Sequence, residues 1–203
     1  MNKPSRILLA AAALLTSTAY AQGNPFEGWS LGLNMSLQSN TTELNAGTDS
    51  FSSLGWTSQG ANLQASYGWP TSASSVFSVG VNYSLTDASG GDASTAAGAF
   101  SLKRKNAYAV YFEPGLKLSD TTLAYFKVGY EGTTLREDTS LGGMEKTLDG
   151  AGYSFGLRGM LDKHVYLQAE VKQLFYNTAN FPGQATGFKL TGTEGLLGLG
   201  YQF

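Results

Sequence analysis

No cysteine occurs in the 203 residues, so no disulfide braces this chain. Charge is scarce and unbiased towards bases. Thirteen Lys and Arg stand against fifteen Asp and Glu, and charged residues make up 14% of the sequence, which gives nucleic-acid binding no basic footprint to rest on. Long apolar runs are missing too. The longest, Ile7 to Leu15, is far short of the roughly 20 residues of a spanning helix, so any membrane insertion must use a closed β-barrel, the one alternative that leaves no backbone group unpaired in lipid. Histidine is down to one residue, His164.

What is present begins with an export address. Lys3 and Arg6 precede the apolar run, and Ala19-Tyr20-Ala21 supplies small residues at the two positions a signal peptidase reads. Residues 1–21 are therefore expected to be a secretory signal cut before Gln22. Its loss removes two bases, leaving eleven against fifteen acids, a net charge of −4 on residues 22–203. That length suits one domain.

Past the signal the dominant pattern has a period of two. Trp29, Leu31, Leu33, Met35 and Leu37 alternate with Ser30, Gly32, Asn34 and Ser36; Leu63 to Trp69 and Phe77 to Leu85 repeat the pattern. Further alternating runs lie at Tyr108–Leu118, Ala124–Glu131, Gly152–Leu161, Val165–Tyr176 and Gly195–Phe203. Four long polar stretches, Gln38–Gly60, Asp87–Lys105, about Gly132–Gly150 and Asn177 to about Phe188, read as loops. Short turns separate the remaining strands. Eight strands with connections alternating long and short predict an all-β fold, an eight-stranded antiparallel up-and-down transmembrane barrel with short periplasmic turns and longer external loops. Pro114, on the outward face of its strand, predicts a bulge or local distortion because it lacks a ladder donor.

Charge placement separates a membrane barrel from a soluble one. Glu113, Lys117, Lys127, Glu131, Arg158, Glu170, Lys172 and Glu194 all fall on the polar parity of their strands. A lipid-facing Arg or Lys at mid-bilayer costs about 2–4 kcal/mol, so lipid would enforce this segregation. Eight strands leave a bore that side chains fill, and the inward charges are expected to pair as Glu113–Lys127, Arg158–Glu170 and Lys172–Glu194. Outward aromatics sort into two levels, Trp29, Trp69, Phe77, Tyr201 and Phe203 at one end and Tyr83, Tyr108, Tyr130, Tyr153 and Phe175 at the other, as interfacial girdles do.

From Tyr111 onward the chain resembles the outer-membrane β-barrel proteins of the OmpA/OmpX-like and opacity-like group. The resemblance is carried by Pro114-Gly115-Leu116-Lys117-Leu118, Leu123 to Tyr130, Leu148 to Tyr153, Val165 to Glu170 and the closing Leu199-Gly200-Tyr201-Gln202-Phe203. It implies an eight-stranded, porin-like barrel in the bacterial outer membrane, inserted by an assembly machinery that reads the terminal aromatic strand, here Tyr201 and Phe203. It also implies outer-membrane lipid and lipopolysaccharide as surroundings. Members of the group include surface adhesins, immune-evasion proteins and structural barrels. The expected role is structural or adhesin-like, at the cell surface through the external loops, with a host or surface ligand left open and the protein a monomer. A narrow channel or conduit for small hydrophobic solutes is the second reading, and a soluble periplasmic lipocalin-like barrel the third.

Catalysis has little to stand on. Lipid-modifying outer-membrane hydrolases and acyltransferases use a serine with a histidine, and His164 sits in a turn on the periplasmic side, away from outer-leaflet lipid. No enzyme activity and no cofactor are expected. Glu137 and Asp138 match no calcium-loop spacing, and Gly90-Gly91 lacks the strand–helix context of a phosphate loop. Two surface sites remain. Lys103-Arg104-Lys105 reads as an external rim contacting lipopolysaccharide phosphates or an acidic partner. Trp56, with Phe51, reads as a contact surface on the first loop, unless Trp56 folds back on the barrel mouth.

Overall fold

Alternation of apolar and polar residues forces each strand to show one face to lipid and the other to the bore. The computed structural model describes residues 24–46, 49–95, 98–139, 142–180 and 187–203. The expected signal, residues 1–21, lies outside them. All elements among the described residues are strands: β1 (Gly28–Ala46), β2 (Asp49–Pro70), β3 (Ser75–Ser84), β4 (Ala88–Thr95), β5 (Gly98–Ser119), β6 (Thr122–Thr139), β7 (Gly142–Met160), β8 (Val165–Tyr176), β9 (Ala179–Asn180) and β10 (Gly187–Gln202). The sheet runs β1-β2-β3-β5-β6-β7-β8-β10 and closes by pairing β10 with β1, from Ser30↔Gln202 to Asn45↔Gly187. The short β4 pairs with β5, and β9 with β10. Eight staves therefore form the barrel.

The ladder also gives the tilt. Stepping from Thr122 through Gly159, Leu167, Leu199, Leu33, Leu63, Tyr83 and Tyr108 returns to β6 at Gly132, ten residues higher. A stagger of that size inclines the strands steeply to the barrel axis.

Three stretches expected to be loops are paired strand instead. β1 and β2 stay paired as far as Ala46↔Asp49, with one register shift between Thr42 and Leu44, β4 and β5 to Thr95↔Gly98, with one between Ser89 and Asp92, and β6 and β7 in unbroken register to Thr139↔Gly142. The reason is physical. Above the bilayer no lipid demands apolar outward residues, so the hydropathy alternation fades while the backbone ladder continues, as at Ser39↔Thr57 and Asn40↔Trp56. In the fourth stretch β9 pairs with the start of β10; residues 181–186 lie outside the described set.

Pro114 produces a distortion and no bulge. The β5–β6 ladder skips Glu113 and Pro114, passing from Phe112↔Val128 to Gly115↔Tyr125 with the register kept. A true bulge sits higher, between Lys105 and Tyr108, where Asn106 has φ 49°. One extra residue there reverses the inward parity of β5: Ala109, Tyr111 and Glu113 point inward below it, Leu102 and Arg104 above it.

The outer wall is apolar over the expected belt. Trp29, Tyr67, Trp69, Phe77 and Phe112 form a chain of ring contacts with centroids 4.0–6.0 Å apart at the periplasmic end, and Tyr108–Tyr130 and Tyr153–Phe175 pack at the outer end.

Candidate functional site

Four layers fill the bore. At the periplasmic end Asn24 folds the chain back on itself, accepting from the Phe26 N–H at its side chain and the Glu27 N–H at its backbone, both at 3.1 Å. Gly28, with φ +92°, completes the reversal. This drives Phe26 into the mouth against Val76, Leu123, Tyr125 and Met160. Gln202 locks the segment by donating to the Glu27 and Trp29 carbonyls at 2.7 and 3.1 Å.

Next comes a charged layer. Glu113 Oε2 accepts from Arg158 at 3.3 Å and lies 3.5 Å from Lys127 Nζ, and Lys127 Nζ also meets Glu170 Oε2 at 2.5 Å. The Tyr125 hydroxyl donates to Glu170 at 3.1 Å. Lys127 lies over the Tyr111 and Tyr125 rings, and Arg158 over Tyr125 and Tyr166, so aromatic faces share the cations. Gln168 donates to Asn34 and Gln64 at 2.6 and 3.0 Å, completing the layer. Inward glycines seat these rings: a Cβ at Gly156 would overlap the Tyr125 ring, and one at Gly200 the Tyr166 ring.

A second polar layer sits above. Lys172 pairs with Glu131 at 2.6 Å. Glu194 accepts from Gln38 and Asn62 at 2.9 and 3.2 Å, while Arg104 donates to Gln38 at 2.6 Å. An apolar cap then closes the outer mouth, built from buried Leu102, Leu135, Leu148, Leu174, Tyr176 and Leu190, with Trp56 and Met144 packed against them.

The eight charges expected inside include seven that line the bore; Lys117 stays at the periplasmic rim, 3.7 Å from Asp120. Of the expected pairs Glu113–Lys127 is made, whereas Arg158 meets Glu113, Glu170 meets Lys127, and Lys172 meets Glu131. The physical cause lies in β7, whose inward residues between Lys127 and Lys172 are small. Gly152, Ser154 and Gly156 leave a gap through which side chains of β6 and β8 meet directly.

The surface-contact reading of Trp56 gives way to its alternative: Trp56 has inward parity and packs, half-buried, on the cap at the barrel mouth; the Phe51 side chain lies outside the described set. Lys103-Arg104-Lys105 is not one patch, because successive residues of β5 face opposite sides and the bulge at Asn106 makes Arg104 the inward one. Lys103 remains outside, 3.7 Å from Asp138, and Lys105 is half-buried. The exterior row on β5–β7 is Lys103, Arg136 and Glu145. Arg136 donates to Asp138 at 2.7 Å, which holds that carboxyl below its usual range, and reaches Glu145 at 3.4 Å; burial raises Glu137 beside them. His164 Nδ1 donates to the Gln202 carbonyl at 2.9 Å, and its ring stacks on Tyr201; Phe203 packs edge-on against Tyr201. Among the described residues no cluster of three His, Cys, Asp or Glu could hold a metal ion.

The cap residues of β5, β6, β7 and β10 were not singled out from the sequence. Their only signal is isolated leucines, Leu102, Leu135, Leu148 and Leu190, within polar stretches.

A closed antiparallel barrel with an apolar exterior and ion pairs across its bore defines an integral membrane β-barrel of the outer-membrane class. The chain belongs to the family described as outer membrane protein beta-barrel domain, which it matches over residues 7–203. Among solved structures it is similar to OprG from Pseudomonas aeruginosa, with 12% identity, TM-score 0.57, and coverage of 89% of this chain and 98% of that one. It is also similar to Ail, the attachment invasion locus protein of Yersinia pestis, at 13% identity and TM-score 0.50, covering 87% and 99%. The outer membrane protease OmpT from Escherichia coli shares 9% identity at TM-score 0.50, covering 92% and 100%. At such identities the likeness is one of fold. No curated protein matches the chain.

Proposed function

We propose that this protein is a surface-interaction barrel: a sealed membrane anchor that raises strand ribbons above the lipid to engage a ligand on another surface. One observation carries this reading. The β6–β7 ribbon rises beyond the outer girdle, and among the described residues β7 pairs on one side only from Gly142 to Leu148, since its ladder with β8 begins at Gly150. Such an edge offers unpaired backbone N–H and C=O groups, a template for an added strand from a partner. The row of Lys103, Arg136 and Glu145 flanks it and adds polar selectivity.

Export by the signal at residues 1–21 and assembly through Tyr201 and Phe203 belong to the same reading, as do lipopolysaccharide phosphates beside Lys103. Ail, described as an attachment protein, is built on the same fold, which is compatible with a non-enzymatic surface role. The apolar caps at both ends of the bore weigh against the narrow-channel alternative.

The test is adhesion of bacteria carrying the full chain to fixed epithelial cells, compared with a variant in which residues 135–146 are replaced by a two-residue turn. The expected result is loss of adhesion with unchanged heat-modifiable gel migration and outer-membrane fractionation. Equal adhesion by a correctly inserted variant would overturn the reading.

A further inference from the structure

Every junction between neighbouring staves carries a connecting segment of chain at one end, except the β1–β10 seam, which carries none. That seam is held by non-covalent contacts alone. At its periplasmic end the residues before β1, Asn24 to Gly28, turn into the mouth of the bore, and five strands grip them there.

Phe26, 2% exposed, clusters with Val76 of β3, Leu123 and Tyr125 of β6 and Met160 of β7. Its carbonyl lies against β2, where a Cβ at Gly68 would overlap it. The fifth contact comes from β10. Gln202, 1% exposed, donates its side-chain amide to the carbonyls on either side of Gly28, those of Glu27 and Trp29, at 2.7 and 3.1 Å. The Phe203 N–H donates to the Trp29 carbonyl at 2.8 Å. Gly28 itself has φ +92°, and a Cβ there would stand 3.2 Å from the Phe203 carbonyl, so the turn is shaped to the end of β10.

These partners come together only in a closed ring. In the order β1-β2-β3-β5-β6-β7-β8-β10, β6 lies four steps from β1 and β10 seven. With the sheet laid open at about 4.8 Å per step, those strands would be roughly 19 and 34 Å from β1, beyond the reach of one phenylalanine or one glutamine. Closure puts β10 beside β1 and sets β6 and β7 across the mouth from Phe26.

We propose that Asn24–Gly28 is a closure latch. It seats only when β10 has zipped onto β1, and once seated it holds that seam against opening from the periplasmic end. Gln202 couples the two events, because its buried amide is satisfied by the carbonyls of the latch and of the first residues of β1.

The test uses a covalent weld of the seam in the full chain, which has no cysteine of its own. Ser36 and Leu196 face each other inside the bore. Counting from the hydrogen-bonded pair Trp29–Phe203, they form a non-hydrogen-bonded pair, whose close Cα spacing suits a disulfide. The rate at which folded protein in lipid vesicles loses its heat-modifiable migration is measured for Ser36→Cys/Leu196→Cys, with and without Phe26→Ala, reduced and oxidised. Phe26→Ala is expected to speed that loss about tenfold in the reduced barrel and less than about twofold in the welded one. Gln202→Leu should follow the same pattern, and Phe26→Leu should restore most of the original rate. In otherwise unmodified protein, hydrogen exchange in Phe26→Ala should rise more at Ser30–Gly32 and Gly200–Gln202 than at Leu123–Tyr125, where only the packing of Phe26 is lost. An unchanged rate in the reduced Phe26→Ala barrel, equal acceleration in the welded one, or the reverse order of exchange would overturn the proposal.

Discussion

Glu113 is ion-paired with two cations, Arg158 and Lys127, at the centre of a bore where none of the three side chains reaches bulk water. Removing it leaves Arg158 with the neutral Gln168 side-chain carbonyl and the faces of Tyr125 and Tyr166, while Lys127 keeps Glu170. Breaking a buried pair from one side typically costs about 3–5 kcal/mol, because the surviving charge stays desolvated. Glu113→Ala should therefore lower unfolding stability in lipid vesicles by that amount, and Glu113→Ala/Arg158→Met should recover most of it; urea titration followed by tryptophan fluorescence checks both. Strand parity made these residues legible as inward charges. Their partners were not, because partner choice depends on which intervening residues are small enough to let side chains cross, and that is a property of three strands taken together.

Turns and strand ends carry the next scale. The β7–β8 turn is held by Asp162, whose Oδ1 accepts the His164 and Val165 N–H groups at 2.7 Å each; those bonds lower its pKa below the usual aspartate range. The same turn grips the closing strand, since the Gln202 N–H donates to the His164 carbonyl at 2.6 Å. With a depressed folded pKa, Asp162 contributes stability that is fully present above the ordinary value of about 4 and is lost as pH falls through the lower folded value. Asp162→Ala removes that contribution at neutral pH. The variant's stability should accordingly vary less with pH below about 4 than the wild type's, as thermal melts from pH 2 to 7 would show. Element boundaries were the least readable feature at this scale. The ribbons above the bilayer keep their ladders without keeping their hydropathy period, so Gln38–Gly60 reads as loop although it is nearly all strand. The bulge at Asn106 has a residue suited to its left-handed φ, but asparagine is common in this chain's polar stretches and does not mark the bulge, which decides that Arg104 faces the bore.

For the whole molecule, the decisive quantity is how the bore is closed. Phe26 and its neighbours seal the periplasmic end, the leucine-rich cap seals the outer end, and two ion-paired layers fill the space between. Purified protein in planar bilayers should show no steady single-channel conductance. A stable open channel in the wild type would mean that one of these caps is not in place in the membrane.

Apolar and charged residues of fixed parity were enough to determine the class: a lipid environment penalises a misplaced charge by kilocalories, so the outward and inward faces are written into every strand. The aromatic girdles and the closing Tyr201–Phe203 strand follow from the same constraint. Tertiary structure alone decided which charges meet across the bore, that Trp56 and Arg104 face inward, and that the outer mouth is capped. Each of these depends on shear, a one-residue bulge or the absence of side-chain volume on a neighbouring strand, and such relations between distant segments leave no periodic mark on any one of them.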